Sequence, residues 1–342
     1  MSGTLSSLEI RFPGPRQVEL VRANVPRPGP GEVRCSARKS LVSRGTETFC
    51  LKGEYDKGTY WEEYIRYPFA PGYSMAAVVE TVGEGVTAWR PGDRVTSWHP
   101  HRQHFVVPAG ELFAIPDGIS DEDATWATLA RTTQLGVRRA ELELGESVAV
   151  IGLGILGQLV IQYLATGGAR RIIAIDTSAK RGALARASGA TDVVLKSAAD
   201  AREDVARITG GKMLDVVFDI TGHPAVLAPA TLLLRKLGRL VLLGDSPTPS
   251  LQHLGPRVVG DSLAILGQHG FLFPNEATPF NQWTAAEMTG VFFDFVQQKR
   301  MNVAPLIDRL ESPTDAARIY DNLLNGRDDA IGIVFDWTKL PA

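Results

Sequence analysis

The residues SVAVIGLGILG at positions 147–157 decide the fold of this chain. The apolar run 148–151 is typical of a buried strand, and glycines follow at 152, 154 and 157 with the spacing G-x-G-x-x-G. The first glycine permits a tight turn, the second lets the backbone approach a pyrophosphate at a helix N-terminus, and the third lets helix and strand pack closely. The stretch therefore predicts a strand–turn–helix unit that binds a dinucleotide.

Asp176 predicts which dinucleotide is bound. It ends the next apolar run, RIIAID, about 20 residues after the glycines, where a carboxylate accepts hydrogen bonds from the ribose hydroxyls and repels a 2′-phosphate. We therefore expect NAD(H) rather than NADP(H), although Lys180 and Arg181 could hold a phosphate instead.

The residues expected to contact this cofactor stand at the ends of predicted strands. They are Gly152, Leu153, Gly154, Ile155, Leu156, Gly157, Asp176, Thr177, Arg181, Thr221, Gly222, Gly244 and Asp245. Two alternatives stay open at this point. The fingerprint glycines could form a turn without a ligand, and Gly222 and Gly244 could simply terminate strands.

The chain shows two sequence patterns, one typical of a strand-rich domain and one typical of alternating strands and helices. From Glu146 onward apolar strands alternate with amphipathic helices, one of which is expected to end at Gly238; this predicts a doubly wound Rossmann domain over residues 129–268. Residues 8–116 carry short β-type runs broken by Gly and Pro. The chain closes with the isolated strand AIGIVFDW at 330–337, which needs a sheet to join. We expect a discontinuous first domain, 1–128 with 269–342, in an α/β protein.

Composition excludes several classes of function. The 342 residues include 36 Lys+Arg and 38 Asp+Glu, a net charge of −2, which disfavours nucleic-acid or membrane binding through bulk charge. Two cysteines, Cys35 and Cys50, cannot form a disulfide framework or a four-thiolate metal site. The chain has neither a secretory signal pattern nor an apolar run of about 20 residues. We expect a cytoplasmic protein whose partner is a small-molecule substrate.

The ordered blocks of this sequence resemble those of the medium-chain dehydrogenase/reductase superfamily, which includes the zinc alcohol dehydrogenases and quinone reductases. The blocks are GEVRCSARKSLVSRGTET at 31–48, PGYSMAAVVETVGEGVTAWRPGDRV at 71–95, the fingerprint, DVVFDITG at 215–222, GRLVLLG at 238–244 and the closing strand. The resemblance implies a GroES-like, partly open β-barrel completed by the C-terminal segment, and an active site in the cleft against the Rossmann domain.

The departures from the zinc members concern the metal. Where those enzymes have Cys-x-[ST]-[DE], this chain has Arg44-Gly45-Thr46-Glu47, and their Gly-His-Glu is replaced by Gly72-Tyr73-Ser74. The third ligand position falls near Ala127, and the four-cysteine lobe is missing. We therefore expect no catalytic zinc. His99, His101 and His104 could hold a divalent ion, but we favour histidines without metal, any one of which could carry a proton.

Without zinc, another group must act at the substrate oxygen. The candidates are Thr46, Tyr73, His101, Arg44 and Glu47. Our hypothesis is that Tyr73 or His101 exchanges the proton, Arg44 or Arg131 supplies positive potential, and Thr46 relays to the ribose. In the alternative interpretation these residues have structural roles only: Thr46 caps a turn, Tyr73 packs in the cleft wall, and Arg44 pairs with Glu47. Five aromatic side chains could line a substrate cavity or belong to the core: Trp61, Tyr64, Phe271, Phe273 and Trp283.

Three functions are compatible with these features. The first is a zinc-independent NAD(H)-dependent oxidoreductase that interconverts a secondary alcohol and a ketone, such as a polyol, a cyclitol or a specialised metabolite. The second is an NAD(P)H-dependent quinone or enoyl reductase, against which Asp176 argues because those enzymes commonly prefer NADPH. The third is a non-catalytic nucleotide-binding protein. Related enzymes pair subunits along the strand SLAILG at 262–267, so we expect a homodimer.

Overall fold

Contacts between residues divide the chain into two units. The computed structural model describes residues 4–326 and 329–340. The first unit holds Met1–Thr128, Thr289–Gln297 and Val303–Ala342, and the second holds Leu129–Met288 and Gln298–Asn302. Residues 269–288, which the sequence assigns to the first domain, therefore group with the second unit.

In chain order, the strands are β1 (Leu5–Arg11), β2 (Glu19–Val25), β3 (Glu32–Leu41), β4 (Met75–Val82), β5 (Arg94–Ser97), β6 (His104–Pro108), β7 (Leu112–Ala114), β8 (Ser147–Ile151), β9 (Arg171–Ile175), β10 (Asp192–Val194), β11 (Leu214–Asp219), β12 (Leu234–Leu242), β13 (Ala264–Gly267), β14 (Ile307–Glu311) and β15 (Gly332–Asp336). The helices are α1 (Arg44–Lys52), α2 (Tyr60–Tyr64), α3 (Asp121–Ala124), α4 (Ala127–Arg139), α5 (Ile155–Thr166), α6 (Ala179–Ala187), α7 (Arg202–Ile208), α8 (Leu227–Thr231), α9 (Ala285–Gln297) and α10 (Ala316–Leu324).

The first unit is built on a seven-stranded sheet. Its order is β14-β15-β3-β4-β5-β7, with β6 paired to β3 and a separate β1-β2 pair. From Glu32 to Ala37 strand β3 alternates half-buried and buried residues, as a strand with one face on a core does, and its last three residues are all buried. The closing strand β15 pairs antiparallel with β3, which confirms that the end of the chain joins the N-terminal sheet.

The second unit is a six-stranded parallel sheet of order β10-β9-β8-β11-β12-β13. The strands β8, β9 and β11 are almost wholly buried, because helices cover both faces of such a sheet. This confirms the predicted doubly wound domain. Its carboxyl edge carries the fingerprint glycines after β8, and the strand order reverses between β8 and β11, where ligands of such sheets bind.

Two details of the second unit differ from the prediction. The helix expected to end at Gly238 is only α8, and β12 already begins at Leu234, because this strand pairs in parallel with β11. Residues 269–288 join the unit through aromatic contacts: the Arg131 guanidinium lies 5.8 Å from the centre of the Phe273 ring, and that of Arg138 lies 3.2 Å from the centre of the Trp283 ring. Within the described ranges, no helix combines the length and apolarity needed to cross a bilayer.

Candidate functional site

The fingerprint residues form an open cradle at the start of α5. Gly154 is the N-cap of this helix, and a Cβ added there would meet no atom within 4 Å. A Cβ on Gly157 would instead lie 2.1 Å from the carbonyl oxygen of Gly152, whose own φ is +91°. The first amide groups of a helix have no partner inside it and favour an anion. The geometry therefore fits a pyrophosphate group at the α5 N-terminus.

Asp176 directly follows β9 and lies beside this cradle. Its carboxylate accepts hydrogen bonds from the Leu153 amide at 2.8 Å and the Ser178 amide at 2.9 Å, and the Arg181 guanidinium lies 3.6 Å from it. A carboxylate fixed in this way can still accept hydrogen bonds from ribose hydroxyls. Thr177, the residue that follows, is exposed.

The residues predicted at the ends of β11 and β12 lie against each other. A Cβ on Gly222 would lie 2.6 Å from the carbonyl oxygen of Asp245, and one on Gly244 would lie 2.4 Å from the Gly222 nitrogen. Thr221 is fixed by Asp219, whose carboxylate accepts hydrogen bonds from its amide at 2.8 Å and its hydroxyl at 2.7 Å. Burial raises the pKa of Asp219, against these hydrogen bonds. The predicted cofactor residues thus lie at the carboxyl edge of one sheet or in the first turns of α5 and α6, which follow that edge.

Arg44, Tyr73 and Ala127 stand where the resemblance places the zinc ligands of other members. Their side chains do not form a metal site. Arg44 begins α1 and donates a hydrogen bond to the carbonyl of Ala330 at 3.0 Å, and Ala127 has no donor atom. Tyr73 holds the second position, and Ser74 donates to the carbonyl of Thr125. In the part of the chain that the structure describes, no three His, Cys, Asp or Glu side chains group as a metal site. These residues do not fit a zinc ion.

The two cysteines are equally unsuited to metal binding. Cys35 and Cys50 are both buried in the core of the first unit, and neither forms a disulfide. Burial raises the pKa of Cys35 to about 12, and it also raises the pKa of Cys50, so both stay thiols at neutral pH. A thiolate is the form that binds a metal.

Glu47 lies at the centre of a buried polar cluster in the first unit. Only 1% of this residue is exposed, yet its carboxylate accepts hydrogen bonds from three sides: the Ser43 amide at 2.7 Å, the Tyr320 hydroxyl, and His101 through Nε2 at 3.2 Å. Burial and the charge of Glu47 raise the pKa of Tyr320 well above its usual value. A buried carboxylate needs such donors, because desolvation otherwise makes its charge costly.

His101 supports Glu47 and has no exposed surface. The Trp337 indole can only donate, and it does so to the Ser40 hydroxyl at 2.9 Å; that hydroxyl lies 2.8 Å from Nδ1 of His101. With the Ser40 hydrogen directed to Nδ1, the Nε2 hydrogen of a neutral His101 points to Glu47. A Cβ on Gly72, where φ is +93°, would lie 2.6 Å from the imidazole, so glycine is needed there. This burial argues against direct proton exchange between His101 and a substrate, and the catalytic role of His101 stays a prediction.

A chain of three hydroxyl groups runs inward beside Glu47. Thr46 Oγ1 lies 3.3 Å from the Tyr73 hydroxyl, which donates to the hydroxyl of Ser43. Solvent exposure falls from the first of these residues to the last: Thr46 is half-buried, Tyr73 is 8% exposed and Ser43 is 4% exposed. The Tyr73 ring stacks on Trp98 with 4.5 Å between ring centres. Burial raises the pKa of Tyr73, against the hydrogen bonds with Ser43 and Thr46 that lower it, so the phenol stays protonated.

The remaining candidates have structural surroundings. His99 stacks on Phe105 and burial lowers its pKa to about 3, while His104 lies 3.1 Å from Glu80, so the three histidines do not converge. Of the five aromatic candidates, Trp61 is buried in the core of the first unit and Tyr64 packs against that core, whereas Phe271, Phe273 and Trp283 belong to the second unit. Burial lowers the pKa of Arg131 to about 10.

Sequence reasoning missed four members of the buried cluster: Ser40, Ser43, Tyr320 and Trp337. Ser43 and Ser40 lie within the block that carries the resemblance, so their nearness to Thr46 was available as a signal. Tyr320 comes from α10, 273 positions from Glu47, and no local pattern reports such a contact.

Family comparisons match both halves of the chain. The profile described as alcohol dehydrogenase GroES-like domain matches residues 36–117, and the profile described as zinc-binding dehydrogenase matches residues 156–284. Sorbitol dehydrogenase of Bacillus subtilis is 26% identical over 247 residues, which cover 62% of this chain and 69% of that protein. D-guloside 3-dehydrogenase of Escherichia coli is 25% identical over 309 residues, covering 84% and 88%.

Solved structures share the whole fold. A dehydrogenase of Sinorhizobium meliloti, solved with NADP, has a TM-score of 0.80 at 19% identity and covers 97% of this chain and 99% of that one. An alcohol dehydrogenase of Escherichia coli, solved with NADH, has a TM-score of 0.78 at 19% identity with the same coverage. This chain belongs to the medium-chain dehydrogenase/reductase superfamily, with a GroES-like unit and a Rossmann unit, and its similarity to alcohol and polyol dehydrogenases supports an oxidoreductase.

Proposed function

We propose that this chain is a zinc-independent, NAD(H)-dependent dehydrogenase that interconverts a secondary alcohol, such as a polyol, and the corresponding ketone. The observation that carries the proposal is the series of hydroxyls from Thr46 through Tyr73 to Ser43. Tyr73 stands where zinc members have a metal ligand, and Ser43 and Thr46 lie on either side of Arg44, which stands where they have another. The similarity to sorbitol and D-guloside dehydrogenases supports a polyhydroxylated substrate.

In this proposal the second unit binds NAD(H), which exchanges a hydride with the carbinol carbon when bound. Thr46 is the outermost of the three hydroxyls and contacts the substrate oxygen. As the alcohol is oxidised, its proton passes to Thr46, and the proton of Thr46 passes to Tyr73. Because burial keeps the phenol protonated, Tyr73 must release its own proton inward as it takes up the new one.

The proposal is tested by measuring turnover with a panel of polyols, 2,3-butanediol and L-threonine, each with NAD and with NADP. For the best substrate we expect Tyr73→Phe and Thr46→Val to lower kcat by about 100-fold, a typical share for general acid–base catalysis. Thr48→Val is the matched control, because Thr48 lies on the same helix and its hydroxyl bonds only to backbone carbonyls, those of Arg44 and Gly45. Full activity in both test variants would overturn the proposed role of the hydroxyl chain.

Metal analysis tests the other half of the proposal. We expect purified protein to keep its turnover after prolonged treatment with a chelator, since the residues at the former zinc positions offer no ligand set. Stoichiometric zinc, or activity that is lost with chelator and restored by zinc, would overturn the proposal.

A quinone or enoyl reductase is the second candidate function. The lack of a zinc ligand set at Arg44, Tyr73 and Ala127 favours it as much as the first. Asp176 argues against it, because its carboxylate would repel a 2′-phosphate. A quinone panel with NADPH separates the two functions directly.

A further inference from the structure

Ser43 occupies the N-cap position of α1 without capping it. A serine at an N-cap usually accepts a hydrogen bond from a backbone amide in the first turn of its helix. Here its hydroxyl accepts from Tyr73, and its side chain makes no cap hydrogen bond. The usual structural reason for a serine at this position is therefore absent, and its hydroxyl serves the buried cluster instead.

We propose that Ser43 is a relay residue that passes the proton of Tyr73 to the carboxylate of Glu47. This inference rests on the proposed function, because it extends the path that begins at Thr46. It assigns to Glu47 the role of proton acceptor at the inner end of the path, and to Tyr320 and His101 the role of holding that carboxylate in place.

The backbone of Ser43 already contacts the proposed acceptor. Glu47 Oε1 lies 2.7 Å from the Ser43 nitrogen, which belongs to the same residue as the relaying hydroxyl. The Ser43 hydroxyl is bonded to Tyr73, and in the proposed step it rotates about the Cα–Cβ bond to reach this oxygen. The other oxygen of Glu47 is already engaged by Tyr320 and His101, which leaves Oε1 as the acceptor.

The hydrogen bonds of the cluster place the Glu47 carboxylate at the inner end of the path. Among the described residues Glu47 has no Lys or Arg partner, and its carboxylate is held by three hydrogen-bond donors: the Ser43 amide, the Tyr320 hydroxyl and His101. Tyr73 cannot hold the negative charge itself, since burial raises its pKa.

Every proton in the path is accounted for. During alcohol oxidation the substrate O–H bond breaks and its proton goes to Thr46, as the hydride leaves the carbinol carbon for NAD. The proton of Thr46 goes to Tyr73, that of Tyr73 to Ser43, and that of Ser43 to Glu47, which becomes a carboxylic acid. Ketone reduction reverses each transfer; before the next oxidation, the proton on Glu47 returns outward along the same hydroxyls and leaves at Thr46, the half-buried end of the path.

Ser43→Ala tests the relay, with Ser120→Ala as the matched control. Ser120 is the N-cap of α3 in the same unit, and its hydroxyl does accept a cap hydrogen bond, from the Asp123 amide at 3.0 Å. We expect Ser43→Ala to lower kcat at least tenfold with KM unchanged and the thermal unfolding midpoint near that of the wild type. Ser120→Ala should do the opposite, with a lower midpoint and unchanged kcat.

Rescue distinguishes a relay from a packing role. Ser43→Thr keeps a hydroxyl and should recover most of kcat, whereas Ser43→Cys keeps the size but offers a weak donor and acceptor and should stay impaired. Wild-type kcat in Ser43→Ala, or equal loss in the Thr and Ala variants, would overturn the relay. If Tyr73→Phe is impaired and Ser43→Ala is not, only this inference fails; if Tyr73→Phe is fully active, the proposed function fails as well.

Discussion

At the scale of single residues, Asp176 sets the expected cofactor preference. Its negative charge would repel a 2′-phosphate, while the Arg181 guanidinium, 3.6 Å away, could hold one if that charge were removed. Asp176→Asn keeps an oxygen that can accept from the Leu153 amide and removes the charge. We expect this variant to bind NADPH about tenfold more tightly relative to NADH, a change of about 1.4 kcal/mol.

Fluorescence titration with both reduced cofactors measures this ratio without any substrate. The double variant Asp176→Asn/Arg181→Ala should lose the gain, because the cation that receives the phosphate is gone. Asp192→Asn, which removes a charge at the start of the edge strand β10, serves as the control. An unchanged ratio in Asp176→Asn would contradict the assignment of Asp176.

The same scale shows how far residue-level prediction reached. The placement of Asp176 beside the glycines could be predicted because the residues of a nucleotide fingerprint lie close together in sequence. Glu47, Thr46 and Tyr73 could be singled out, but their roles could not, since burial and hydrogen-bond partners decide them. His101 shows this most clearly: its sequence context is compatible with a proton carrier, and only its complete burial assigns it to Glu47.

At the scale of elements, the turn from β8 to α5 contains two glycines with different roles. Gly157 allows close packing, because an added Cβ would lie 2.1 Å from the backbone oxygen of Gly152, which cannot move aside easily. Gly154 faces open space. We expect Gly157→Ala to destabilise the fold by about 1–3 kcal/mol or more, as overpacking does.

Gly154→Ala should have the reverse profile. Its φ of −71° suits alanine, so we expect a loss of stability within about 1 kcal/mol, the size of a weakened N-cap, together with a clear loss of NADH affinity. Chemical denaturation and NADH titration on both variants check the pair. Tight NADH binding by Gly154→Ala would show that the pyrophosphate does not approach this position.

Element prediction failed where pairing over a distance overrides local pattern. The strands β8, β9 and β11 are continuous apolar runs and were predictable for that reason. After α8 the leucine-rich run 232–234 continues a helical pattern, but the backbone from Leu234 pairs with β11 as β12. Leu237, inside the predicted helix, has φ +61°, a value that a right-handed helix does not allow.

At the scale of the whole molecule, β13 leaves the second unit with an open sheet edge. It is the last strand in the order of that sheet and is paired on one side only, with β12. An unpaired edge is a template for another strand, and a second copy of this chain offers the same edge. We propose a homodimer through β13, as the family resemblance implies.

Removal of one outward amide tests this dimer. The Gln268 amide donates to Leu242 of β12, so, by alternation along the strand, the Ile265 amide points to the free edge. Ile265→Pro removes that donor, and proline is tolerated on an edge strand when its nitrogen faces outward. We expect the wild type to sediment at twice 37.0 kDa and Ile265→Pro as a single chain with unchanged NADH affinity. Ile265→Val keeps the amide and should remain a dimer; a wild type that sediments only at 37.0 kDa at all concentrations would exclude the pairing.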